Sequence, residues 1–480
     1  RARLQQAVAS LYHPDPVARR IKLKVAEKAR RAAQVLAEDA VLDTTGIRAL
    51  RRRPVYTTQN HFAPEGFAPN DVNSDADGAH PRESIEPRHC YVCKVKYSAI
   101  HPFYDQLCPA CAAFNFAKRT ESADLQGRVA LLTGGRVKIG YQAGLKLLRA
   151  GSGLIVTTRF PRDAATRYAA EADFAEWEQR LQVYGLDLRH TPSLEAFCQE
   201  LLATHQRLDF IINNACQTVR RPPDFYAHMM PGETAPLDEM PASARKLVTR
   251  YEDLRSAHAW PEVASSSAAP ATRTARLSGL THTAELSQVP LLANELAAQD
   301  HLFPPGLLDQ DLQQMDLRER NSWRLLLAEV PAVEMLEVQL VNAIAPFIIN
   351  ARLKPLMLRT ANRDKHIVNV SAMEGQFYRK FKTTRHPHTN MAKAALNMMT
   401  RTAATDYHND GIHMNSVDTG WVTDEDPAAL AARKVQTERF HPPLDIVDGA
   451  ARIVDPIIHG INSGQHVWGQ FLKDYRPTDW

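Results

Sequence analysis

Four cysteines in the stretch CYVCKVKYSAIHPFYDQLCPAC have the spacing of a metal site. Cys90 and Cys93 form one C-x-x-C pair, Cys108 and Cys111 form another, and 14 residues separate the pairs. Two residues between thiolates let both sulfurs reach one ion, and two such pairs complete a tetrahedral zinc site. The spacing therefore predicts a structural Zn²⁺ in a small zinc-ribbon-like module. Four thiolates leave no open coordination position, so we assign this site to structure or partner binding and not to catalysis.

Two disulfides and a redox-active pair are the alternative interpretations of these cysteines. Six cysteines in 480 residues, without a secretory signal, are typical of a reducing compartment, which disfavours disulfides. A redox site needs only one C-x-x-C pair beside a βαβ unit. His89 and His101 flank the module, and we interpret them as bystanders. The sequence predicts a cytoplasmic location, with an organelle matrix as the alternative because its start is rich in Arg and poor in acids.

A second stretch, TGGRVKIG, has the composition of a phosphate-binding loop. It follows an apolar strand pattern and opens a helical pattern. This position provides a tight turn, close approach of backbone to a pyrophosphate, and a helix N-terminus directed at the anion. The residues predicted to contact a nucleotide here are Thr133, Gly134, Gly135, Arg136, Lys138, Ile139 and Gly140.

The elements around this loop alternate between strands and helices. The apolar runs RVALLTGG, GLIVTTR, LQVYGLDL, LDFIINNA, KHIVNVSA, IHMNSVDT and QHVWGQFL indicate about seven strands. Near-continuous apolar strands separated by helices are typical of a parallel sheet covered on both faces. We therefore predict an α/β fold with a doubly wound parallel sheet.

The region after residue 125 resembles the short-chain dehydrogenase/reductase family, a Rossmann family with the fingerprint T-G-x-x-x-G-x-G. Gly134 and Gly140 match its first and third glycines. Lys138 stands in place of the second glycine, which normally permits close backbone approach to the pyrophosphate. Lys138 either weakens pyrophosphate binding or adds a cation beside the phosphates.

The resemblance also implies where the adenosine half of a cofactor lies. Asp187 in GLDL matches the adenine-side acid of the family, and Asn214 belongs to an N-N-A-G motif that here ends in Cys216. The second strand ends in TTRFPR, which places Arg159, with Arg162 as a further candidate, where NAD-specific proteins carry an acid. Since Arg accommodates a 2′-phosphate, we predict NADP(H) as the cofactor, with NAD(H) as the alternative.

The resemblance further implies a catalytic site made of Asn, Ser, Tyr and Lys. Asn342 in VNAIAPF matches the Asn, and Lys393 matches the Lys that binds the nicotinamide ribose and lowers the Tyr pKa. Thr389 stands at the position of the Tyr, which exchanges a proton with the carbonyl oxygen. Ala372 occupies the usual Ser position, with Ser371 one residue earlier. The predicted catalytic residues are therefore Lys393, Asn342, Thr389 and Ser371.

Two hypotheses follow from the loss of Tyr. An aliphatic hydroxyl is a far poorer acid than a phenol, so a reductase would need another proton donor. Tyr378, His386 and His388 are the substitutes that the sequence offers. The first hypothesis is an atypical NADP(H)-dependent oxidoreductase of unknown substrate. The second is a catalytically silent Rossmann scaffold or structural subunit of a larger assembly.

The chain is predicted to comprise four segments. A basic helical arm spans 1–53, a linker rich in Pro, Asn, Asp and Gly spans 54–88, and the zinc module spans 89–120. The Rossmann domain spans 125–480 and carries an insertion at 217–330. The arm has 13 Lys and Arg against 5 Asp and Glu, hence a net charge of +8 in a chain of net charge +4.

The arm contains a predicted amphipathic helix of about 25 residues that begins at Asp15-Pro16, with Asp as N-cap and Pro at the first helical position. We interpret it as docking on its own protein, with a partner or an anionic surface as the alternative. The zinc module and the arm could hold a protein partner. We also expect a homo-oligomer and, if the chain is an enzyme, a small-molecule substrate.

Nucleic acid and membrane insertion are not predicted. The cysteine module lacks interleaved aromatics or a basic recognition helix of its own. No run approaches 18 uncharged apolar residues, which argues against a transmembrane segment.

Overall fold

A computed structural model of the chain describes residues 1–12, 16–51, 83–257, 282–297, 299–309, 311–379, 382–439 and 441–480. These residues fall into two compact units. The first holds the described residues up to Leu50 together with residues 83–114, and the second holds Arg51 and the described residues from Asn115 to Trp480.

The first unit combines helices with an antiparallel hairpin. Its elements are α1 (Ala2–Tyr12), α2 (Pro16–Leu42), α3 (Gly46–Leu50), β1 (Glu83–His89) and β2 (Lys96–Ala99), and α4 (Pro109–Thr120) follows in the chain. Helix α2 contacts β1 through an ion pair of 3.1 Å between Arg88 and Glu38. Val17, Ile21 and Val25 in its first half are each more than half exposed. The amphipathic helix therefore exists, and only its C-terminal half docks within its unit.

The predicted linker at 54–88 ends earlier than expected. Residues 54–82 lie outside the described residues, and Glu83–His89 form strand β1. This strand contains Pro87 and no apolar alternation, so its sequence gave no strand signal. It is held by pairing with β2, where the hydroxyl of Ser84 donates to the carbonyl of Ser98 over 3.2 Å. Tertiary pairing thus decides its conformation.

An eight-stranded sheet organises the second unit. Its strands are β3 (Val129–Thr133), β4 (Gly153–Thr158), β5 (Leu181–Gly185), β6 (Phe210–Asn213), β7 (Lys365–Ser371), β8 (Ile412–Asp418), β9 (Phe471–Lys473) and β10 (Arg476–Thr478). The order is β10-β9-β8-β7-β6-β3-β4-β5, parallel except for β10. The predicted doubly wound α/β fold is confirmed. The polar strand β10 adds an antiparallel edge to the seven expected strands.

Helices cover both faces of the sheet. They are α5 (Lys138–Arg149), α6 (Pro161–Ala169), α7 (Phe174–Trp177), α8 (Thr191–Thr204), α9 (Pro223–Tyr226), α10 (Met230–Thr234), α11 (Ala242–Ala257), α12 (Thr283–Leu286), α13 (Ala332–Gln339), α14 (Ala345–Met357), α15 (Pro387–Asn409), α16 (Ala428–Arg433) and α17 (Ile446–Ser463). The 3₁₀ turns are Glu178–Arg180, Ala227–Met229, Leu237–Glu239, Ala293–Glu295, Ser322–Arg324, Leu327–Glu329 and Met373–Gly375, and π-helical turns lie at Leu340–Ile344 and Lys434–Glu438. Leu132 belongs to the apolar core on one face and its neighbour Leu131 to the core on the other, which explains the near-continuous apolar strands.

The insertion at 217–330 is packed where the structure describes it. Helix α11 gives Leu247 and Val248 to the core on one face of the sheet and Tyr251 to the core on the other. It therefore lies across the outer strand β5. Residues 258–281 of the insertion lie outside the described residues.

One helical run matches a membrane span by length and apolar composition. It is Ala332–Met357, the only such run within the described parts of the chain, and 44% of its most apolar window is buried. Val341, Ile349 and Leu353 on this run join the core beneath the parallel strands. The same run carries the buried polar residue Asn342. It serves here as a core helix of the α/β domain.

Four imidazoles meet where strands β7 and β8 begin. Nε2 of His366 lies 3.0 Å from Nδ1 of His466, and His413 stacks on His466 with ring centroids 4.7 Å apart. His408 approaches His413 to 5.3 Å and stacks on Trp468 at 4.1 Å. We call His366, His408, His413 and His466 the histidine cluster. It lies at the end of the sheet opposite the glycine-rich loop, because parallel strands share one direction.

Candidate functional site

The four cysteines converge on one point within the first unit. Their sulfurs all lie within 4.8 Å of one another, and Sγ of Cys93 is 3.7 Å from Sγ of Cys108. Zinc bonded to four sulfurs at about 2.3 Å needs sulfurs about 3.8 Å apart, so the spacing suits a tetrahedral ion. The N–H of Val95 lowers the pKa of Cys93 to about 7, whereas burial raises the pKa of Cys108 and of Cys111.

The histidines beside the cysteines have other partners. Nδ1 of His101 accepts the N–H of Phe103 over 3.0 Å, and burial lowers the His101 pKa to about 4. Nδ1 of His89 lies 3.1 Å from the carbonyl of Lys94. Neither ring belongs to the group of ligand atoms formed by the four sulfurs.

The glycine-rich loop joins β3 to α5 in a turn that leaves no room for a side chain at Gly134 and Gly140. Gly134 has φ +70°, and a Cβ on Gly140 would lie 2.2 Å from the carbonyl oxygen of Gly134. The carboxamide of Asn214 donates to the carbonyls of Thr133 and Gly134, each over 3.1 Å. The Thr133 hydroxyl accepts the N–H of Ala215 over 3.0 Å. The predicted loop residues and Asn214 are thus brought together at the carboxyl ends of β3 and β6.

Lys138 adopts the backbone conformation of the glycine it replaces. Its φ is +56°, in the left-handed region that favours glycine. The turn therefore keeps the backbone path of a glycine-rich phosphate loop, and the substitution adds a side chain and a charge. Ile139 beside it packs against Gly449 of α17, where an added Cβ would lie 3.0 Å from its side chain.

Arg159 follows the carboxyl end of β4, and contacts with Tyr226 hold its guanidinium in place. Arg159 donates to the phenol oxygen of Tyr226 over 2.5 Å and lies over its ring at 4.5 Å. Nearby, Asp187 is held by the guanidinium of Arg189 over 2.6 Å, and Arg189 also pairs with Glu337. The implied adenine-side acid is therefore engaged in an ion pair. Among the described residues, the buried Arg162 pairs with Glu252 and does not line the cleft.

A cleft of about 560 Å³ lies over the glycine-rich loop. Of the predicted cofactor residues it is lined by Gly134, Arg136, Lys138, Ile139, Gly140, Arg159, Asp187 and Asn214, whereas Thr133, Gly135 and Lys393 do not line it. Its other wall comes from the insertion and from the segment after β8, with Tyr226, Asp309, Gln313, Asp316, Thr423 and Glu425. The insertion therefore helps to build the cleft.

The residues at the family's catalytic positions lie on α15, β7 and the π-helical turn. Thr389, Lys393 and Asn397 follow one another at intervals of four and so share a face of α15. Nζ of Lys393 donates to the carbonyl of Val370 over 2.7 Å, and the hydroxyl of Ser371 donates to Oδ1 of Asn397 over 2.6 Å. Thr389, Lys393 and Ser371 are at most 4% exposed.

Two features of this region bear on proton transfer. The hydroxyl of Thr389 is buried and makes no hydrogen bond to the part of the chain that is described. The side chain of Asn342 accepts the N–H of Gln217 over 2.8 Å and donates to its carbonyl over 3.1 Å. Asn342 lies in the π-helical turn, a distortion that often marks functional sites.

The three substitute proton donors occupy different surroundings. Tyr378 is 94% exposed. His386 stacks on Trp323 at 3.8 Å, and burial lowers its pKa. Nε2 of the buried His388 lies 3.4 Å from the carboxylate of Glu334. Tyr378 is therefore solvated, whereas His386 faces the last part of the insertion and His388 faces α13, which follows the insertion.

Several residues of the site had no sequence signal. Tyr226 and Gln313 lie in aperiodic stretches, and Arg189 is indistinguishable in sequence from a solvated charge. Asn397 could have been noted, because it lies four residues after Lys393 on the same helical face.

Comparison with family models identifies the type of domain. Residues 128–229 match the model described as short chain dehydrogenase, and residues 324–442 match the model described as Enoyl-(Acyl carrier protein) reductase. The chain is a Rossmann protein of the short-chain dehydrogenase/reductase type. The stretch between the two matches, residues 230–323, covers most of the predicted insertion.

Curated relatives and solved structures give the wider context. An uncharacterised protein of Acanthamoeba polyphaga mimivirus is 28% identical over 437 residues, covering 87% of this chain and 81% of that protein. Retinol dehydrogenase 11 of Mus musculus is 31% identical over 96 residues, covering 20% of this chain and 30% of that protein. A short chain dehydrogenase from Burkholderia cenocepacia in complex with NADP is 16% identical, with a TM-score of 0.43 and coverage of 73% of this chain and 96% of that one.

Proposed function

We propose that the chain is an NADP(H)-binding oxidoreductase of the short-chain dehydrogenase type with an altered proton-transfer site. The cofactor assignment rests on one arginine of the cleft that, among the described residues, is not paired with a carboxylate. Four arginines line the cleft, and three pair with carboxylates: Arg136 with Asp163, Arg189 with Asp187, and Arg221 with Asp316. Within the described residues Arg159 has no carboxylate within 4 Å, so its guanidinium is available to an anionic ligand.

The 2′-phosphate of NADP(H) is the anion that this position favours. Arg159 follows β4, the second strand of the Rossmann order, where the ribose of the adenosine half is recognised. Tyr226 holds the guanidinium in place, so little side-chain entropy is lost on binding. The glycine-rich turn and the N-terminus of α5 would hold the pyrophosphate. NADP(H), when bound, would supply or accept the hydride.

Replacement of Arg159 by alanine tests the cofactor assignment. We expect the affinity for NADPH to fall about 30-fold, because a charge-assisted contact of roughly 2 kcal/mol is lost. The affinity for NADH should change less than about twofold, since NADH lacks the 2′-phosphate. Fluorescence titration with each nucleotide measures both values.

A surface arginine serves as the matched control. Arg352 is 55% exposed in its side chain and pairs with Glu195, so Arg352→Ala should leave both affinities unchanged. An equal loss of NADH and NADPH affinity in Arg159→Ala would refute the assignment to the 2′-phosphate.

Lys393 is proposed to hold the nicotinamide ribose. Its buried ammonium donates to the carbonyl of Val370 at the end of β7, and no carboxylate among the described residues lies within 4 Å of it. Lys393→Met should weaken NADPH and NADH alike by about tenfold, because the ribose is common to both. The same titrations provide the measurement, with thermal unfolding as a check on folding. Unchanged affinity for both nucleotides would remove Lys393 from the cofactor site.

We also propose that the four cysteines hold a structural Zn²⁺. Their sulfur spacing and the absence of His101 from the ligand group support zinc with four thiolates. The metal would then stabilise the hairpin of β1 and β2 and take no part in hydride transfer.

A catalytically silent, nucleotide-binding subunit is the second candidate function. It is favoured because the side chains of Ser371 and Asn342 both make internal hydrogen bonds, and because Thr389 supplies only an aliphatic hydroxyl. A screen of carbonyl compounds, with NADPH oxidation as readout, separates the two candidates. Turnover with any class of carbonyl compound supports the enzyme, whereas tight NADPH binding without turnover supports the subunit.

A further inference from the structure

The insertion places a carboxylate against the one lysine of the glycine-rich loop. Oδ2 of Asp311 lies 3.6 Å from Nζ of Lys138. The side chain of Lys138 is 38% exposed and lines the cleft, whereas that of Asp311 is 4% exposed. The carboxylate is therefore held inside the protein, and the ammonium that it faces reaches the space where a pyrophosphate would bind.

The turn that carries Asp311 is fixed by its own hydrogen bonds. Oδ1 of Asp309 accepts the N–H of Asp311 over 2.8 Å and the N–H of Gln313 over 2.9 Å. The side chain of Gln313 in turn accepts a hydrogen bond from Arg136 in the glycine-rich loop. The carboxylate is thus presented to Lys138 by a structured part of the insertion.

A bound pyrophosphate would change the electrostatic interaction between Asp311 and Lys138. Burial raises the pKa of Asp311, and the ammonium of Lys138 is the largest of the charges that oppose this shift. Asp311 and Glu425 also raise the pKa of Lys138 against the effect of its burial. A pyrophosphate bound at the loop would bring negative charge to the same ammonium and close to Asp311.

We propose that Asp311 competes with the pyrophosphate of a bound dinucleotide for Lys138, so that the insertion sets the affinity of the cleft for its cofactor. This inference rests on the proposed dinucleotide site and adds a regulatory contact to it. The insertion then lowers cofactor affinity through one residue pair.

The test compares the affinity of wild type and Asp311→Asn for NADPH. Asparagine keeps the shape of the side chain and removes its charge, and we expect binding to become about fivefold tighter. Glu319→Gln is the matched control, because Glu319 is an exposed carboxylate eight residues further along the same segment. It should leave the affinity unchanged.

Two further measurements separate competition for Lys138 from a structural effect. Adenosine 2′-phosphate carries no pyrophosphate, so its affinity should not respond to Asp311→Asn. Lys138→Gly removes the contested ammonium at a residue whose φ of +56° suits glycine. In that background Asp311→Asn should tighten NADPH binding less than about twofold.

Each result of these binding measurements supports or overturns the proposed competition for Lys138. Unchanged or weaker NADPH binding in Asp311→Asn would overturn the inference and leave the proposed function intact. A fivefold gain that persists in the Lys138→Gly background would also overturn it, because Asp311 would then act on the ligand directly. Absence of dinucleotide binding in wild type and all variants would refute the proposed function together with the inference.

Discussion

Replacement of Cys108 by serine is expected to release the metal and unfold the hairpin of β1 and β2. Structural zinc contributes roughly 10 kcal/mol or more to the folding of small metal-binding modules, more than such a hairpin can obtain from its own core. The effect should be confined to residues 83–114, which belong to the first unit together with the helical arm. Zinc content of the purified protein and hydrogen exchange of these amides measure both parts of the prediction.

The control for this variant is another cysteine of the same chain. Cys216 is exposed and lies outside the four-sulfur group, so Cys216→Ser should retain full zinc content and unchanged exchange. A chelator added to wild type should reproduce the effect of Cys108→Ser. Full amide protection in metal-free protein would show that the hairpin folds without zinc.

Acidification is expected to destabilise the second unit through the histidine cluster. Burial lowers the pKa of His413 from 6.5 to about 4, lowers that of His466, and lowers that of His366 well below its usual range. These imidazoles are neutral in the folded chain and bind protons below pH 6.5 once unfolded. The unfolded state therefore binds more protons between pH 6.5 and 4, and stability falls as the pH falls through this window.

The pKa change of His413 alone gives a lower limit for the unfolding free energy that is lost on acidification. A difference of about 2.5 pKa units corresponds to about 3 kcal/mol of unfolding free energy lost by pH 4, and His366 adds to it. The charged groups around the cluster include Asp364, Arg128 and Arg363. Asp364 raises the pKa of His366 and His466, and the backbone carbonyl of Arg363 raises that of His413, but both only partly offset burial.

Urea unfolding of His413→Gln across the same pH range tests the assignment. The variant should lose about 2 to 3 kcal/mol less than wild type between pH 7 and pH 4, because glutamine takes up no proton. His459 is exposed on α17, and His459→Gln should keep the wild-type pH profile. A wild-type pH profile in His413→Gln as well would assign the acid sensitivity to carboxylates elsewhere.

The sheet was predictable because its signal is local. Seven parallel strands follow from apolar runs, since each strand is buried on both faces and needs no partner to reveal it. Strand β10 has only the residues Arg-Pro-Thr, and β1 contains a proline, so neither carries a pattern of its own. Both strands form because a neighbouring strand pairs with them, and this pairing is a tertiary contact that the local sequence does not reveal.

The sequence predicts which residues belong to the site, but it does not predict the contacts that their side chains make. The place of Lys138 in the loop follows from the glycine pattern, whereas its left-handed backbone and its ion pair with Asp311 do not. The ion pair of Asp187 with Arg189 and the contact of Arg159 with Tyr226 depend on rotamers and on an insertion without periodicity. Charge pairing within the cleft, which supports the proposed cofactor, is therefore visible only in three dimensions.

Helix α11 also covers the outer edge of the sheet. Strand β5 ends the sheet, and the unpaired backbone groups of such a strand can template pairing with another molecule. By contributing Leu247 to one face and Tyr251 to the other, α11 caps this strand. Tyr251 fits there because residue 185 is glycine, where a Cβ would lie 2.3 Å from the Tyr251 ring. We expect a shortened chain without the insertion to expose this edge and to aggregate more readily, in addition to losing one wall of the cleft.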